Sequence, residues 1–316
     1  MSRADVRLGD CVEGMRSLPE GSVHCCVSSI PFGALFSYSH KDSDIGNNLD
    51  GVDMHESQFG LHMMHFLDPL YRVMRPGSVT CIHVQQLLTY KVQHGYMGMR
   101  DFRGAVITLF RNAGFQPHGE VAICKNPQAV AQRQKLHSLM FITGKRDARR
   151  LAPAMNDYLL LFRKPGESPD DAVRAIRDAA TNPDGWVTTE QWVRWARGCW
   201  TDIRETDVLQ GHRSAREEGD ERHVCPLQLE VIRRCVLLYS RPGDTVLDPF
   251  MGIGSTAVVA LECGRDAVGF ELKESYWRMA VGNVRAVEAR RGGGRGGQLA
   301  ELLEREAGDA RGQAHG

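Results

Sequence analysis

Apolar positions fall along this chain in two rhythms. Short, nearly unbroken apolar runs have strand length: Val23 to Ser28, Val79 to Val84, Asp157 to Arg163, Thr245 to Leu247 and Ala267 to Phe270, with Val6 to Leu8 and Glu120 to Cys124 as weaker cases. Between them lie segments with helical periodicity: Val12 to Leu18, Gln58 to Met74, Phe102 to Asn112, Pro226 to Leu238 and Ala257 to Cys263. The second is the clearest, because Phe59, Met63, Phe66, Leu67, Leu70, Tyr71 and Met74 share one helix face. Breakers punctuate the series: Pro19-Glu20-Gly21, Arg75-Pro76-Gly77, Gly114 and Lys164-Pro165-Gly166. Apolar runs without alternation suit parallel strands buried on both faces. Strand–helix alternation predicts an α/β fold with a mostly parallel sheet and helices on both faces.

Some stretches break the pattern. Residues 33–56 are polar and predict a long loop, a type that is usually functional or disordered. Residues 125–150 are polar and basic. Residues 166–222 carry Pro, Asp, Arg and Trp186, Trp192, Trp195 and Trp200, and predict a peripheral helical insert. A Gly/Arg run opens residues 290–316 and predicts a flexible tail. The expected organisation is one half-domain over 1–165, the insert over 166–222, the other half over 223–289 and the tail over 290–316.

Composition narrows the class. The 316 residues suffice for one large α/β domain with insertions. Net charge is zero, so any contact with nucleic acid must come from local basic patches. The nine cysteines include no C-x-x-C pair with metal-like spacing, and Cys25-Cys26 sit in an apolar run, so reduced buried thiols are expected and no metal. The first residues lack an apolar signal core, and no apolar run reaches membrane-spanning length, so the expectation is a cytoplasmic protein.

The chemistry concentrates in two short motifs. The late one is Asp244-Thr245-Val246-Leu247-Asp248-Pro249-Phe250-Met251-Gly252-Ile253-Gly254-Ser255-Thr256: a strand, a glycine turn and a helix start. Gly252 and Gly254 would let the backbone approach a ligand. Glu271 ends the next strand about 20 positions beyond the turn, where an acid accepts hydrogen bonds from ribose hydroxyls. A full G-x-G-x-x-G and a Walker lysine are both missing, which argues against a dinucleotide or triphosphate. A nucleoside ligand without phosphate fits better, with Asp248 near its cationic part. The early motif is Ser28-Ser29-Ile30-Pro31-Phe32, at the end of a buried strand.

Together these motifs resemble amino-group DNA methyltransferases that use S-adenosylmethionine, in the circularly ordered class where the catalytic motif precedes the cofactor motif. The likeness covers most of residues 5–165 and 222–285 and is closest to phage or mobile-element types, which often act without a restriction partner. It implies a Rossmann-like fold. Asp248, Pro249, Phe250, Gly252, Gly254 and Ser255 look like the cofactor loop, with Glu271 for the ribose. His223-Val224-Cys225-Pro226 looks like the segment lining the methionine end, and Gly9-Asp10 like the pair whose Asp approaches the adenine; Asp10 reads equally as a turn residue. In the family's Asp/Asn/Ser-Pro-Pro-Tyr/Phe motif, Ser29 is the side-chain acceptor, Ile30 supplies a carbonyl acceptor, Pro31 stiffens the turn and Phe32 stacks on the base. Ile30 replaces the first proline of the pair. Its carbonyl survives that change, whereas proline's rigidity does not.

The chemistry explains the motif. An exocyclic amino nitrogen is a poor nucleophile because its lone pair is delocalised into the ring. Two acceptors pulling on its hydrogens favour the tetrahedral nitrogen that takes the methyl group. The base must first leave the duplex. The implied partner is thus duplex DNA with a flipped target base, with a homodimer as one option and no membrane. Arg133, Lys135, Lys145, Arg146, Arg149 and Arg150 are candidate phosphate contacts, and Asn126, Gln128, Gln132 and Gln134 candidate base readers. His212-Arg213-Ser214-Ala215-Arg216 is another candidate contact. Serine at the first catalytic position is commoner in cytosine-N4 enzymes, while adenine-N6 enzymes are more abundant, so the base stays open. Two alternatives remain at this stage: a methyltransferase of the same fold acting on RNA or protein, and a catalytically weakened DNA-binding or anti-restriction protein, the latter motivated by Ile30.

Overall fold

The computed structural model describes residues 2–32, 45, 57–89, 95–96, 98–128, 130, 145–167, 187–211 and 226–291. The expected 33–56 loop (apart from Ile45), most of the 125–150 stretch, Trp186, His212 to Arg216, His223 to Cys225 and the tail beyond 291 lie outside these residues.

The chain opens with β1 (Ala4–Leu8), α1 (Cys11–Arg16) and β2 (Val23–Ser29). There follow α2 (Gln58–Val73), β3 (Met74–Gln85), the small hairpin β4 (Leu87–Thr89) and β5 (Gly98–Arg100), α3 (Phe102–Asn112), β6 (Gln116–Ile123) and β7 (Asp157–Arg163). Next come α4 (Thr189–Trp195), β8 (Cys199–Trp200), α5 (Leu229–Tyr239), β9 (Thr245–Asp248), α6 (Ser255–Glu262), β10 (Asp266–Glu271) and a helix over 274–291, here α7.

Eight strands form one sheet in the order β1-β10-β9-β2-β3-β7-β6-β8. From β1 through β3 the neighbours run parallel. β7 is antiparallel to both β3 and β6, and β8 runs parallel to β6. The sheet is therefore mostly parallel but mixed at one end. The first and last of the described strands lie side by side, with Ala4 opposite Ala267 and Leu8 opposite Glu271. Strand order runs outward from β9 through β10 to β1 in one direction and from β2 to β3 in the other. The boundary between β9 and β2 is thus a topological switch point, whose carboxyl-end crevice is where open α/β sheets bind ligands.

Alternate residues of the central strands feed two cores. Cys26, Ile82, Leu160, Phe162, Leu247 and Phe270 pack with Phe66, Leu70, Phe102 and Phe110 from α2 and α3. Cys25, Val27, Cys81, Leu159, Leu161 and Val246 pack with Val231, Cys235, Val258 and Val284 from α5, α6 and α7. Helix starts are capped locally: Asp10 Oδ1 accepts from the amides of Val12 and Glu13, Ser57 caps α2, and Thr188 with Gln191 forms a capping box on α4.

Several boundaries differ from the sequence expectation. β3 begins at Met74 and passes through Arg75-Pro76-Gly77 rather than starting at Val79. The ladder with β2 shifts register between Val23 and Cys25, and such an irregularity is what admits a proline within a strand. β6 starts at Gln116, four residues earlier than expected, and α5 starts three residues later, at Leu229. The α7 helix was not foreseen. The segment read as a helical insert carries α4, but it also adds β8 to the sheet edge.

Arg234 ties that segment to α5. It is 2% exposed, bonds Asp202 through both terminal nitrogens at 3.0 and 2.8 Å and Glu230 through Nε at 2.9 Å, and lies over the rings of Trp200 and Trp195. Hydrogen bonds from Arg234, and from Arg194, hold the Asp202 carboxyl down to about 2. A depressed carboxylate contributes stability above its unfolded value that is lost as pH falls through the folded one. Removing the guanidinium strands the carboxylates and empties the space beside two indoles. Arg234→Ala should therefore destabilise the fold by about 3 kcal/mol. Thermal or urea unfolding measures this, and an unchanged midpoint would remove the clasp from the account.

Candidate active site

The crevice between β9 and β2 is held by one carboxylate. Asp248, the last residue of β9, is 5% exposed. Ser28 Oγ donates to Asp248 Oδ1 at 2.7 Å, and the Phe250 amide donates to the same oxygen at 3.1 Å. Thr256 Oγ1 in the first turn of α6 donates to Oδ2 at 2.6 Å. Both oxygens are thus taken by protein donors. Burial pushes the Asp248 carboxyl above its usual range, while the Thr256, Ser28 and Phe250 bonds pull the other way. The sequence suggests Asp248 as a contact for a cationic ligand; the geometry gives it the work of joining β2, the glycine loop and α6.

The glycine loop leaves β9 through Pro249, which is buried, and Phe250, whose ring lies 5.1 Å from that of Phe66. Gly252 and Gly254 both have positive φ, at 54° and 90°. A side chain on Gly252 would meet open space, so that face of the turn is free to receive a ligand. On Gly254 it would strike Ala280 of α7 at 3.1 Å. Asn283 of α7 donates to the Ile253 carbonyl at 2.9 Å, so α7 backs the loop from behind. Glu271, at the end of β10, accepts from the Gly252 amide (Oε2, 2.8 Å) and the Lys273 amide (Oε1, 2.8 Å). Burial pushes its carboxyl up to about 7 against the pull of these amides. Asp10, at the neighbouring strand end, caps α1 through Oδ1, and the Gly9 amide donates to the Glu271 carbonyl at 2.9 Å.

The early motif lies on the other lip of the crevice. Ile30 and Pro31 are buried, and Ile30 belongs to the core under α2. Its side chain anchors the loop by packing where a proline would have stiffened it. Phe32 is half-buried, with its ring 5.9 Å from that of His83 and edge-on to Phe102 at 6.1 Å. Ser29 Oγ lies 2.9 Å from His83 Nδ1, and His83 Nε2 lies 3.0 Å from Asp157 Oδ2. The register explains this line of groups. Ser29 is the ladder partner of His83, and Asp157 faces Gln85, two residues along the same side of β3. Lys125 forms an ion pair with the same Asp157 oxygen. Burial pushes Asp157 up, but its bond with His83 and the charge and bond of Lys125 outweigh this and hold the carboxyl below its usual range.

The structure thus gathers Asp10, Ser29, Ile30, Pro31, Phe32, Asp248, Pro249, Phe250, Gly252, Gly254, Ser255 and Glu271 at the carboxyl ends of four adjacent strands. Pro226 is described just before α5, next to Leu227, which packs in one core with Val258 of α6. Ser28, His83, Lys125, Asp157 and Thr256 were missed as site residues. Ser28 opens the early motif and Thr256 closes the late one without a role assigned to either, whereas His83, Lys125 and Asp157 sit in strands or a basic stretch that carry no motif. Among the described residues no group of His, Cys, Asp or Glu could hold a metal ion, and no helix is long and apolar enough to cross a membrane.

The donor set suits a nucleoside ligand without phosphates. An acid stands at the second strand end, and the side chain of Ser255 and the amide oxygen of Gln228 are buried without a partner among the described residues, near the α6 and α5 starts. A glycine turn at the switch point of a doubly wound sheet, beside a serine–proline–aromatic loop, defines a Rossmann-like methyltransferase. Residues 23–282 match the DNA methylase family, and the chain belongs to that family. The type II methyltransferase M.Cfr9I of Citrobacter freundii is 26% identical over 290 residues, covering 87% of this chain and 86% of that one. M.MthZI of Methanothermobacter thermautotrophicus, also a type II methyltransferase, is 23% identical over 83% of this chain and 71% of its own. The Thermus thermophilus protein TTHA0409, solved with S-adenosyl-L-methionine, superposes with a TM-score of 0.62 at 22% identity, covering 91% of this chain and 94% of that one. The protein is therefore an S-adenosylmethionine-dependent methyltransferase acting on an amino group of a DNA base, of the kind found in restriction–modification systems.

A ribose held by Glu271, as the sequence expects, would make cofactor affinity depend on pH. A carboxyl accepts hydroxyl bonds best when ionised, and the raised value of Glu271 leaves much of it protonated below about 7. Affinity for S-adenosylmethionine should strengthen between pH 6 and pH 8 and then level off, and Glu271→Gln should flatten the profile. Equilibrium dialysis measures both, and equal wild-type affinity at the two ends would remove Glu271 from the ribose.

Proposed function

We propose that the two lips of the crevice divide the reaction between them. Gly252, Gly254, Ser255 and Glu271, with Asp10 and Pro226 at the margins, hold S-adenosylmethionine, which supplies an electrophilic methyl group on its sulfonium. Ser29 and the Ile30 carbonyl accept the two hydrogens of the target amino group, and Phe32 stacks on the base. The observation that supports this reading is the Ser28–Asp248 hydrogen bond, which joins segments 220 residues apart in sequence at the switch point. It sets the end of the catalytic strand against the start of the glycine loop.

A base inside a duplex cannot reach such a crevice, so the target nucleotide is flipped out. Lys145, Arg146 and Arg149 are candidate phosphate contacts in the described part of the basic stretch. Both loops belong to one chain, so transfer does not require a second copy. Buried thiols such as Cys25 and Cys26 suit a reducing cytoplasm, where the DNA and the methyl donor meet.

Tritiated S-adenosylmethionine incubated with unmodified duplex DNA should label the DNA. Digestion to nucleosides with mass spectrometry should then yield N6-methyladenine or N4-methylcytosine, which names the base. Ser29→Ala should lower turnover about a hundredfold, the scale of one preorganised partner of a developing charge, with little change in cofactor affinity. Equal turnover in the variant would take the serine out of the mechanism.

A further inference from the structure

Ser29 does not stand alone: behind it a histidine and a buried carboxylate form a line of hydrogen bonds. A serine hydroxyl can donate as well as accept, so by itself it is an ambiguous partner for an amino group. The groups behind it remove the ambiguity. Asp157 is 2% exposed, its bonds hold it ionised, and it can only accept. His83 must then carry its proton on Nε2, facing Asp157 Oδ2, with the Nδ1 lone pair toward Ser29. The Ser29 hydroxyl proton points at Nδ1, which leaves the oxygen lone pairs for the substrate.

We propose that His83 and Asp157, with Lys125 holding the carboxylate, are positioning and proton-relay residues for amino methylation, acting through Ser29. This rests on the functional reading above and extends it to where the proton goes. The amino nitrogen attacks the donor methyl group: an N–C bond forms, and the S–C bond breaks with its electron pair staying on sulfur. The nitrogen then carries a positive charge and one proton too many. That proton passes to Ser29 Oγ as the serine's own proton passes to His83 Nδ1. The resulting imidazolium faces Asp157 and later releases its proton to water. No covalent enzyme intermediate forms, and atoms and charge balance at each step.

Lys125 and His83 share one Asp157 oxygen, while the other, Oδ1, is buried with no hydrogen-bond partner among the described residues. The lysine charge keeps the carboxylate ionised, and burial keeps water from competing for it. The arrangement reproduces the order of a serine–histidine–aspartate triad, but here the serine receives a hydrogen bond instead of attacking. A reversed imidazole tautomer would turn the serine from acceptor toward donor.

The test is Asp157→Asn, whose amide can donate to Nε2 and so favour the Nδ1–H tautomer. Two readouts are needed. Imidazole nitrogen NMR on histidine-labelled protein, with His83 assigned by loss of its signal in His83→Gln, should show the Nε2–H tautomer in the wild type and a shift toward Nδ1–H in Asp157→Asn. In steady-state methylation of DNA, Asp157→Asn should lose at least about a hundredfold in kcat with KM for DNA and dialysis affinity for S-adenosylmethionine within about threefold of wild type, and Asp157→Glu should recover part of the loss. An Nδ1–H or doubly protonated His83 in the wild type would overturn the relay, as would wild-type kcat in Asp157→Asn. If Asp157→Asn misfolds, the wild-type tautomer and the kcat of His83→Gln decide in the same two directions. Wild-type protein that transfers no methyl group to DNA would defeat the functional reading instead, leaving the tautomer to decide the relay.

Discussion

A buried carboxylate at the centre of the sheet sets the geometry on which the site depends. Asp248 is the meeting point of β2, the glycine loop and α6, through Ser28, Phe250 and Thr256. Each buried hydroxyl left without its acceptor would cost about 1–3 kcal/mol, so the three elements are held in one arrangement rather than several. The carboxylate's cost of burial is offset only in part by these bonds and falls where a sheet changes direction. Ligand loops at such a point are positioned by strands and helices, which hold a site more tightly than a mobile surface loop does.

The two lips have different support. The glycine-loop lip is braced by α7, whose Ala280 and Asn283 press on Gly254 and Ile253, and by Glu271, which accepts the Gly252 amide. The serine–proline lip is braced from below by Ile30 in the core and from the side by His83 and Asp157. The early loop lacks its first proline, yet its rigidity is supplied by a buried side chain. The molecule thus keeps a backbone carbonyl at this position and replaces the way it is held still.

Much of this was legible in the sequence because it rests on local rules. Val23 to Ser28 and Thr245 to Leu247 read as buried parallel strands, and the positive-φ glycines after Asp248 read as a turn, since only glycine takes those angles cheaply. What could not be read depends on register. His83 looks like one polar residue in an apolar strand, and Asp157 like the first residue of another; only the ladder pairings Ser29–His83 and Gln85–Asp157 bring them into line. Thr256 and Ser28 meet Asp248 for the same reason. The Pro76-Gly77 pair reads as a break because breakers usually end elements, whereas a register shift absorbs it within β3.

The account stands or falls on both lips sharing one ligand cleft. Hydrogen–deuterium exchange with and without S-adenosylhomocysteine, read by mass spectrometry, tests this most directly. The account predicts slower exchange in two separated peptides together, one spanning Phe250 to Thr256 and one spanning Ser28 to Phe32. Protection confined to one of them, or appearing only elsewhere in the chain, would contradict it.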